Sequence, residues 1–388
     1  MRYQRNVFTA VLDRAFQSRN EALTFIQNVG IELELQPGED PRLVLAEPFS
    51  YTAVIAGHKP KSRKKIQPQW IPEHKKTYTL EDAVLFSSTG KMSAGSFGTS
   101  AGTPAVGGAC QAAGIGPKYT AFKKLGDVDQ KNVREGGAKF ICNYCYANKG
   151  NYMHRGPQWM QAIRNVWLQR ELEQKSAEEV GDVLTRAVEL HSSNTDIRTA
   201  RGEDPRFFRI HDSGDLFSKK DEHDNGPGIK ALLAWYRVCK NLPKIRFWCP
   251  TRMWVFVYFP DFVQQYPPPT NLALRPSALH FNDKAPMVSG FSAGSTSHWW
   301  NKKVRTRAVE IGLTDIVCPA YSMGGTSCAG AFDRGVKDPE LGESERGALG
   351  EMIRQVRSDP RLNELTNGGH DCRACWLFKE ARVSYTAH

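Results

Sequence analysis

The stretch RFFRIHDSGDLF, residues 206–217, decides the fold class. Its first part, RFFRI, has the apolar pattern of a strand, and this strand stops abruptly at His-Asp-Ser-Gly-Asp. Further strand-like runs occupy residues 244–250, 271–277 and 314–320, and helical patterns alternate with them. Strands that alternate with helices predict βαβ units and a parallel sheet. About six such units without a GxGxxG fingerprint favour an α/β fold of the TIM-like (β/α) barrel type.

Several local patterns make this prediction specific. Ser176 with Glu179 three residues later predicts a capped helix start. Apolar residues at helical spacing predict a buried helix face between residues 229 and 242, namely Leu232, Trp235, Tyr236 and Cys239. A further helix is expected around residues 344–357, and a strand at MVSGFSA, residues 287–293.

Polar residues collect where the predicted strands end. In parallel α/β folds the active site forms at the carboxyl ends of the strands. A barrel would therefore bring four such ends around one pocket. They carry Asp212, Ser213 and Asp215, then Thr251 and Arg252, then Arg275 and Ser277, and the motif CNYCY at residues 142–146.

Asp212 and Asp215 are the most informative of these residues. Two carboxylates at this spacing can act as nucleophile and acid–base partner, or as ligands of a divalent metal ion. They can also cap the following element and order the turn. His211, Ser213 and Gly214 add polar and close-approach chemistry at the same place, which favours a functional role.

The 388-residue chain carries a formal net charge of +11, which suggests a polyanionic partner, nucleic acid first. Residues 58–76 form a proline-interrupted basic segment that either lies on phosphates or is a solvated linker. The residues expected to contact DNA are Lys61, Arg63, Lys64 and Lys65. No apolar run is long enough for a membrane span, and no secretory signal is evident, so we expect a location in the cytoplasm.

Nine cysteines in such a chain favour metal binding over structural disulfides. Four of them form a ligand set suited to a tetrahedral structural zinc, in which His370 could replace one thiolate: Cys318, Cys328, Cys372 and Cys375. A second group, Cys110, Cys142 and Cys145, either holds a second metal or consists of buried thiols.

The pieces CNYCYANKGNY, RIHDSGDLF, IRFWCPTR and CRACW resemble the phage protein family called gene product 88. That family is linked to DNA transglycosylases, which place 7-deazaguanines into phage DNA and thereby counter restriction. They are distant relatives of the tRNA-guanine transglycosylases. The resemblance implies a TIM barrel, a structural zinc, double-stranded DNA and a free 7-deazaguanine base as partners, and exchange of guanine through a carboxylate nucleophile. The segment 249–252 is similar to the relatives' nucleophile motif, but Trp248 stands where their Asp should be.

The nucleophile must then come from another carboxylate. We expect Asp215 to attack and Asp212 to recognise the base, although the order can be reversed. The residues expected to bind the substrate are His211, Ser213, Gly214, Tyr146, Thr251 and Arg252. The predicted organisation is an N-terminal extension at residues 1–80, a barrel at 81–317 and a zinc-binding segment at 318–388. Two rival hypotheses are a metal-stapled DNA-binding protein without catalysis and a metal-dependent or iron–sulfur nuclease.

Overall fold

The computed structural model describes part of the chain in detail. The described residues are 31–33, 51–53, 87–89, 92, 94–99, 101, 109–110, 141, 161, 164–165, 168, 171–193, 203–216, 227–256, 258–298 and 306–386. Their strands are β1 (Ile31–Leu33), β2 (Tyr51–Ala53), β3 (Ser87–Thr89), β4 (Ala94–Phe97), β5 (Phe207–Ile210), β6 (Arg246–Thr251), β7 (Leu272–Pro276), β8 (Ser295–His298), β9 (Ile316–Val317) and β10 (Val383–Thr386). Their α-helices are α1 (Ala177–Ser193), α2 (Pro227–Asn241), α3 (Tyr258–Gln265), α4 (Ala331–Lys337), α5 (Glu343–Ser358), α6 (Pro360–Leu365) and α7 (Ala374–Leu377).

A five-stranded sheet with the order β3-β4-β5-β6-β7 forms the centre of the structure. β3 pairs antiparallel with β4, and the other three pairings are parallel. Every residue of β4, β5 and β7 is buried. Strands covered on both faces need mostly apolar or small side chains, as in the sequences FFRI of β5, LALRP of β7 and AGSF of β4. The predicted parallel α/β architecture is confirmed at this level.

One face of the sheet is covered by α1 and α2. Phe208 and Ile210 of β5 point to this face and pack in one cluster with the buried side of α2. That side includes the four residues predicted from helical spacing, and all four are buried. The predicted start of α1 is also confirmed, because Glu179 N donates to Ser176 Oγ at 3.2 Å and Ser176 N donates to Glu179 Oε2 at 2.9 Å.

The opposite face is covered by the C-terminal segment. Phe207 of β5 and Trp248 of β6 point to this face, where Trp376 packs edge-on against both at centroid distances of 5.5 and 5.2 Å. The indole nitrogen of Trp376 donates to Phe208 O at 3.0 Å. Helices α4 and α5 complete the apolar cluster on this side. The C-terminal segment is therefore part of the main core.

Arg275 fixes this segment to the sheet. It is fully buried in β7, and its guanidinium donates five hydrogen bonds to backbone carbonyls. The acceptors are the carbonyl oxygens of Ala293, Ala374, Cys375, Phe378 and Ala381. Four of the five belong to residues 374–381, so one side chain ties this irregular segment to β7.

A second parallel sheet has the order β8-β10-β9. A single bridge between Ser277 and Ser295 connects the end of β7 to β8. From β4 to β8 the strands thus neighbour one another in chain order, as in a (β/α) barrel. Among the described residues, no pairing closes the sheet into a barrel. β10 separates β8 from β9, which the sequence did not predict.

Two further findings concern expectations about local structure. The strand predicted at residues 287–293 is wrong, because those residues form turns and extended segments, and the strand begins at Ser295. Within the described parts of the chain, no helix is long and apolar enough to cross a membrane.

Candidate active site

The carboxyl ends of β4 and β5 are joined by backbone hydrogen bonds. Residues 211–216, here called the acidic loop, leave β5 at this edge of the sheet. Asp212 N donates to Phe97 O at 3.1 Å, and Thr99 N donates to Ser213 O at 3.0 Å. Ser213 Oγ donates to Thr99 O at 2.8 Å. The polar residues predicted after β5 are therefore buried at a strand-end edge, as expected.

His211 has an unusual environment within the acidic loop. Its φ angle is 60°, a left-handed conformation that is uncommon for a residue other than glycine. The ring is buried and lies edge-on to Phe97 at 5.9 Å. Burial, together with the charge of Arg209, lowers the pKa of His211 to about 3. Neither ring nitrogen has a hydrogen-bond partner among the described residues. The loop thus presents a neutral imidazole in a conformation that costs energy, which is typical of functional sites.

Two glycines allow the loops after β4 and β5 to approach this closely. A Cβ atom on Gly98 would lie 2.0 Å from Asp212 Oδ1. Gly214 has a φ angle of 74°, and a Cβ atom there would lie 2.0 Å from Thr99 Oγ1. The close approach predicted at Gly214 is therefore an approach of the protein's own Thr99.

Replacement of Gly214 by Ala should destabilise the fold by about 2–3 kcal/mol, because it combines left-handed strain with an overlap of atoms. Urea unfolding measures this change. Gly350 in α5 is a matched control, since nothing lies within 4 Å of its added Cβ. Gly350→Ala should stabilise the protein by up to about 1 kcal/mol. Equal stabilities of the two variants would contradict this account of Gly214.

Asp215 connects the acidic loop to β6. Its Oδ1 accepts hydrogen bonds from Thr251 Oγ1 at 2.6 Å and from Leu216 N at 2.8 Å. Its Oδ2 accepts from Arg252 N at 2.8 Å. Burial raises the pKa of Asp215, and the three donors oppose that shift. Both oxygens of this carboxylate are therefore occupied by protein donors, and Thr251 and Arg252 serve as its anchors.

Sequence reasoning missed a second buried pair at the same edge. Residues 277–283, here called the β7 loop, carry His280 and Asp283, whose Nδ1 and Oδ2 atoms are 3.2 Å apart. Both side chains are buried. Ile141, the residue before the CNYCY motif, donates its N–H to Leu279 O at 2.7 Å. The available signal was the position of His280 after a predicted strand, the same rule that identified Asp212.

A family comparison adds to this geometry. A protein-family model described as Gene product 88 matches residues 62–376, which is most of the chain. The chain belongs to the Gene product 88 family. This confirms the phage family that the motifs resembled. No curated protein and no solved structure matches the chain.

The match includes all four residues of the thiol cluster of this Gene product 88 protein, by which we mean Cys318, Cys328, Cys372 and Cys375. All four residues are buried in the core beneath the sheet. Burial raises the pKa of Cys372 well above its usual range, and the nearby Cys328 and Cys318 raise it further. Cys372 N donates to Cys328 O at 2.9 Å. The described residues contain no group of three or more His, Cys, Asp or Glu arranged to hold a metal ion.

The remaining cysteines and predicted site residues of the Gene product 88 chain fall into three groups. Cys239 and Cys249 are buried in the core, and burial raises the pKa of each thiol well above its usual range, so both are packing residues. Cys110 is partly buried. The others lie outside the described residues, namely Lys61, Arg63, Lys64, Lys65, Cys142, Cys145 and Tyr146.

Proposed function

We propose that this protein is a DNA-guanine transglycosylase, which exchanges guanine in double-stranded DNA for a free 7-deazaguanine such as 7-cyano-7-deazaguanine. The observation that carries the proposal is the set of buried carboxylates and imidazoles at the carboxyl ends of successive parallel strands. Burial of ionisable groups at one edge is costly and marks functional sites. The resemblance of the motifs to the phage family supplies the reaction.

The proposed architecture is a TIM-like barrel. Its support is that strands β4 to β8 lie side by side in the order in which they occur in the chain. The Ser277–Ser295 bridge is the contact between β7 and β8. The helix α2 connects β5 to β6 on one face, as a barrel helix does. In such a barrel the acidic loop and the β7 loop would both border the substrate pocket.

The nucleophile in this proposal is Asp212, the reverse of the order preferred from the sequence. Asp215 would have to give up hydrogen bonds from Thr251 or Arg252 in order to attack. We therefore assign Asp215 to positioning. A carboxylate oxygen of Asp212 bonds to C1′ of the target nucleotide while the C1′–N9 bond to guanine breaks. The incoming base then bonds to C1′ and releases the carboxylate.

The target nucleotide must leave the DNA stack to reach a site this deep. His211 is suited to contact an uncharged base, because its pKa of about 3 keeps the imidazole neutral at physiological pH. Ser213 and Gly214 shape the loop around it, and Tyr146 remains a candidate for stacking. The net charge of +11 supports DNA as the partner, with the basic segment at residues 58–76 as the proposed contact. The proposed location is the cytoplasm of the host cell.

A structural zinc at the thiol cluster is also part of the proposal. Its support is the burial of all four thiols in one cluster. Burial raises the pKa of Cys375, and the nearby cationic Arg275 opposes that shift. Zinc would replace the thiol protons and hold the C-terminal segment to the sheet.

The double variant Cys372→Ser, Cys375→Ser should lose bound zinc and solubility together, because two of four ligands are removed. Elemental analysis of the purified protein measures the zinc. Cys239→Ala is the control, since Cys239 is a packing residue of α2, and it should retain the metal. Full zinc occupancy in the double variant would exclude the thiol cluster as the site.

Nucleoside mass spectrometry tests the function most directly. DNA isolated from cells that make the protein and a 7-deazaguanine should contain the deazaguanine nucleoside. Purified protein with labelled guanine and duplex DNA should give label in the DNA. Strand cleavage in magnesium without base exchange would favour a nuclease, and DNA binding with neither reaction would favour a binding protein.

A further inference from the structure

The β7 loop is fixed next to the acidic loop by the ends of two strands. Ser277 N donates to Thr251 O at 2.8 Å, and Ala278 N donates to Ser295 O at 2.7 Å. Arg252 joins the two loops directly. Its backbone N donates to Asp215 Oδ2 at 2.8 Å, and its Nε donates to Ala278 O at 3.2 Å. The two loops are thus one connected unit at the same edge of the sheet.

Within this loop the imidazole of His280 has a defined orientation. Asp283 Oδ2 lies 3.2 Å from His280 Nδ1, and both side chains are buried. The backbone around Asp283 is held by Thr296 Oγ1, which donates to Asp283 O at 2.6 Å, and by Asn282, whose N–H donates to Ser297 O at 2.9 Å. A carboxylate on Nδ1 fixes the orientation of the ring and places the proton of the neutral imidazole on Nδ1.

Base exchange needs a proton that the other site residues do not supply well. Guanine leaves more easily when it receives a proton, and the incoming base must lose its N9 proton. His211 stays neutral at physiological pH, since its pKa is about 3. Asp215 accepts three hydrogen bonds and would lose at least one by holding a proton.

We propose that His280, oriented by Asp283, is the proton-transfer residue of this site. This inference rests on the proposed transglycosylase function. In the first half-reaction the electron pair of the C1′–N9 bond moves to guanine, which takes a proton from the His280 imidazolium. In the second half-reaction N9 of the 7-deazaguanine bonds to C1′, the C1′–carboxylate bond breaks, and neutral His280 takes the N9 proton. The proton count is restored after one cycle.

The choice of leaving base distinguishes proton transfer by His280 from a purely structural role of His280. Duplexes carry either guanine or 7-methylguanine at the target position. The methylated base is already cationic, so its departure needs no proton. The rate at which the covalent protein–DNA adduct forms is measured for both. His280→Gln should slow adduct formation with guanine by about 10²-fold or more and leave the rate with 7-methylguanine unchanged.

Two further variants show whether an effect of His280→Gln comes from misfolding. Asp283→Asn should give the same selective loss with a smaller magnitude. His191→Gln breaks another buried pair, in which His191 Nε2 lies 2.7 Å from Glu203 Oε2. It should lower the melting temperature without changing the ratio of the two rates.

Each remaining outcome has a definite meaning. Equal loss with both bases, or loss with neither, in both His280→Gln and Asp283→Asn would overturn the role of His280 and leave the transglycosylase function intact. Failure of the parent protein to form an adduct with either base, or to exchange labelled guanine, would overturn the proposed function and this assignment with it.

Discussion

Asp212→Asn should reduce guanine exchange by at least about 10³-fold and abolish the covalent protein–DNA adduct. The amide keeps the size of the side chain but cannot attack C1′. The backbone N–H of residue 212 still reaches Phe97 O, so the connection between the loops after β4 and β5 is retained. Incorporation of labelled guanine and denaturing gel analysis of the adduct measure the two effects, and duplex binding should persist.

Asp215→Asn is the informative comparison. Its amide nitrogen would face either the Arg252 N–H or the donors at the other oxygen, so one hydrogen bond becomes a contact between donors. We expect a loss of about 1–3 kcal/mol in the free energy of unfolding, while the adduct still forms in the folded fraction. An adduct with Asp212→Asn and none with a well-folded Asp215→Asn would restore Asp215 as the nucleophile. Exchange at the parent rate by both variants would make both carboxylates structural.

Arg275→Ala should be the most destabilising substitution, at about 4 kcal/mol or more. It removes five hydrogen bonds to backbone carbonyl groups and opens a cavity between β7 and residues 374–381. Chemical denaturation measures the loss, and limited proteolysis should show early cleavage near residues 374–381. Lysine at this position keeps the charge but has three donors, so Arg275→Lys should lie between the parent and Arg275→Ala.

Arg307 provides the matched control for this prediction. It is exposed and pairs with Glu310 at 3.1 Å on the surface. Arg307→Ala should change the free energy of unfolding by no more than about 0.5 kcal/mol. Comparable losses in the Arg275 and Arg307 variants would mean that the carbonyl contacts of Arg275 contribute little.

The central strands could be predicted because burial on both faces of the sheet produces apolar runs in the sequence. β5, β6 and β7 lie in the predicted apolar runs, and the same holds for the apolar side of α2. β8 could not be predicted in this way, because Ser295–His298 is polar although most of its residues are buried. The apolar segment before it includes Met287, which is exposed. The hydrophobic pattern of the sequence therefore does not locate β8, whose pairing partner β10 comes from a distant part of the chain.

The candidate site likewise contains features that the sequence predicts and features that it does not. The position of Asp212 and Asp215 after a buried strand was readable from the sequence, since strand ends in parallel sheets share one edge. The hydrogen-bond environment of Asp215 was not readable, because two of its donors come from β6 and the residue after it. His280 and Asp283 lie in a loop without a recognisable spacing, and contacts with distant parts of the chain, including β8, fix their geometry.

The position of β10 has a consequence for the order of events during synthesis. β10 is the last strand along the described chain, yet it lies between β8 and β9. Val383 pairs with both Ser295 and Ile316, so these two strands have no partner in common until residue 383 has left the ribosome. Until then β8 and β9 expose unpaired edges. We expect nascent chains that stop before residue 383 to require chaperones, because this sheet cannot be completed without β10.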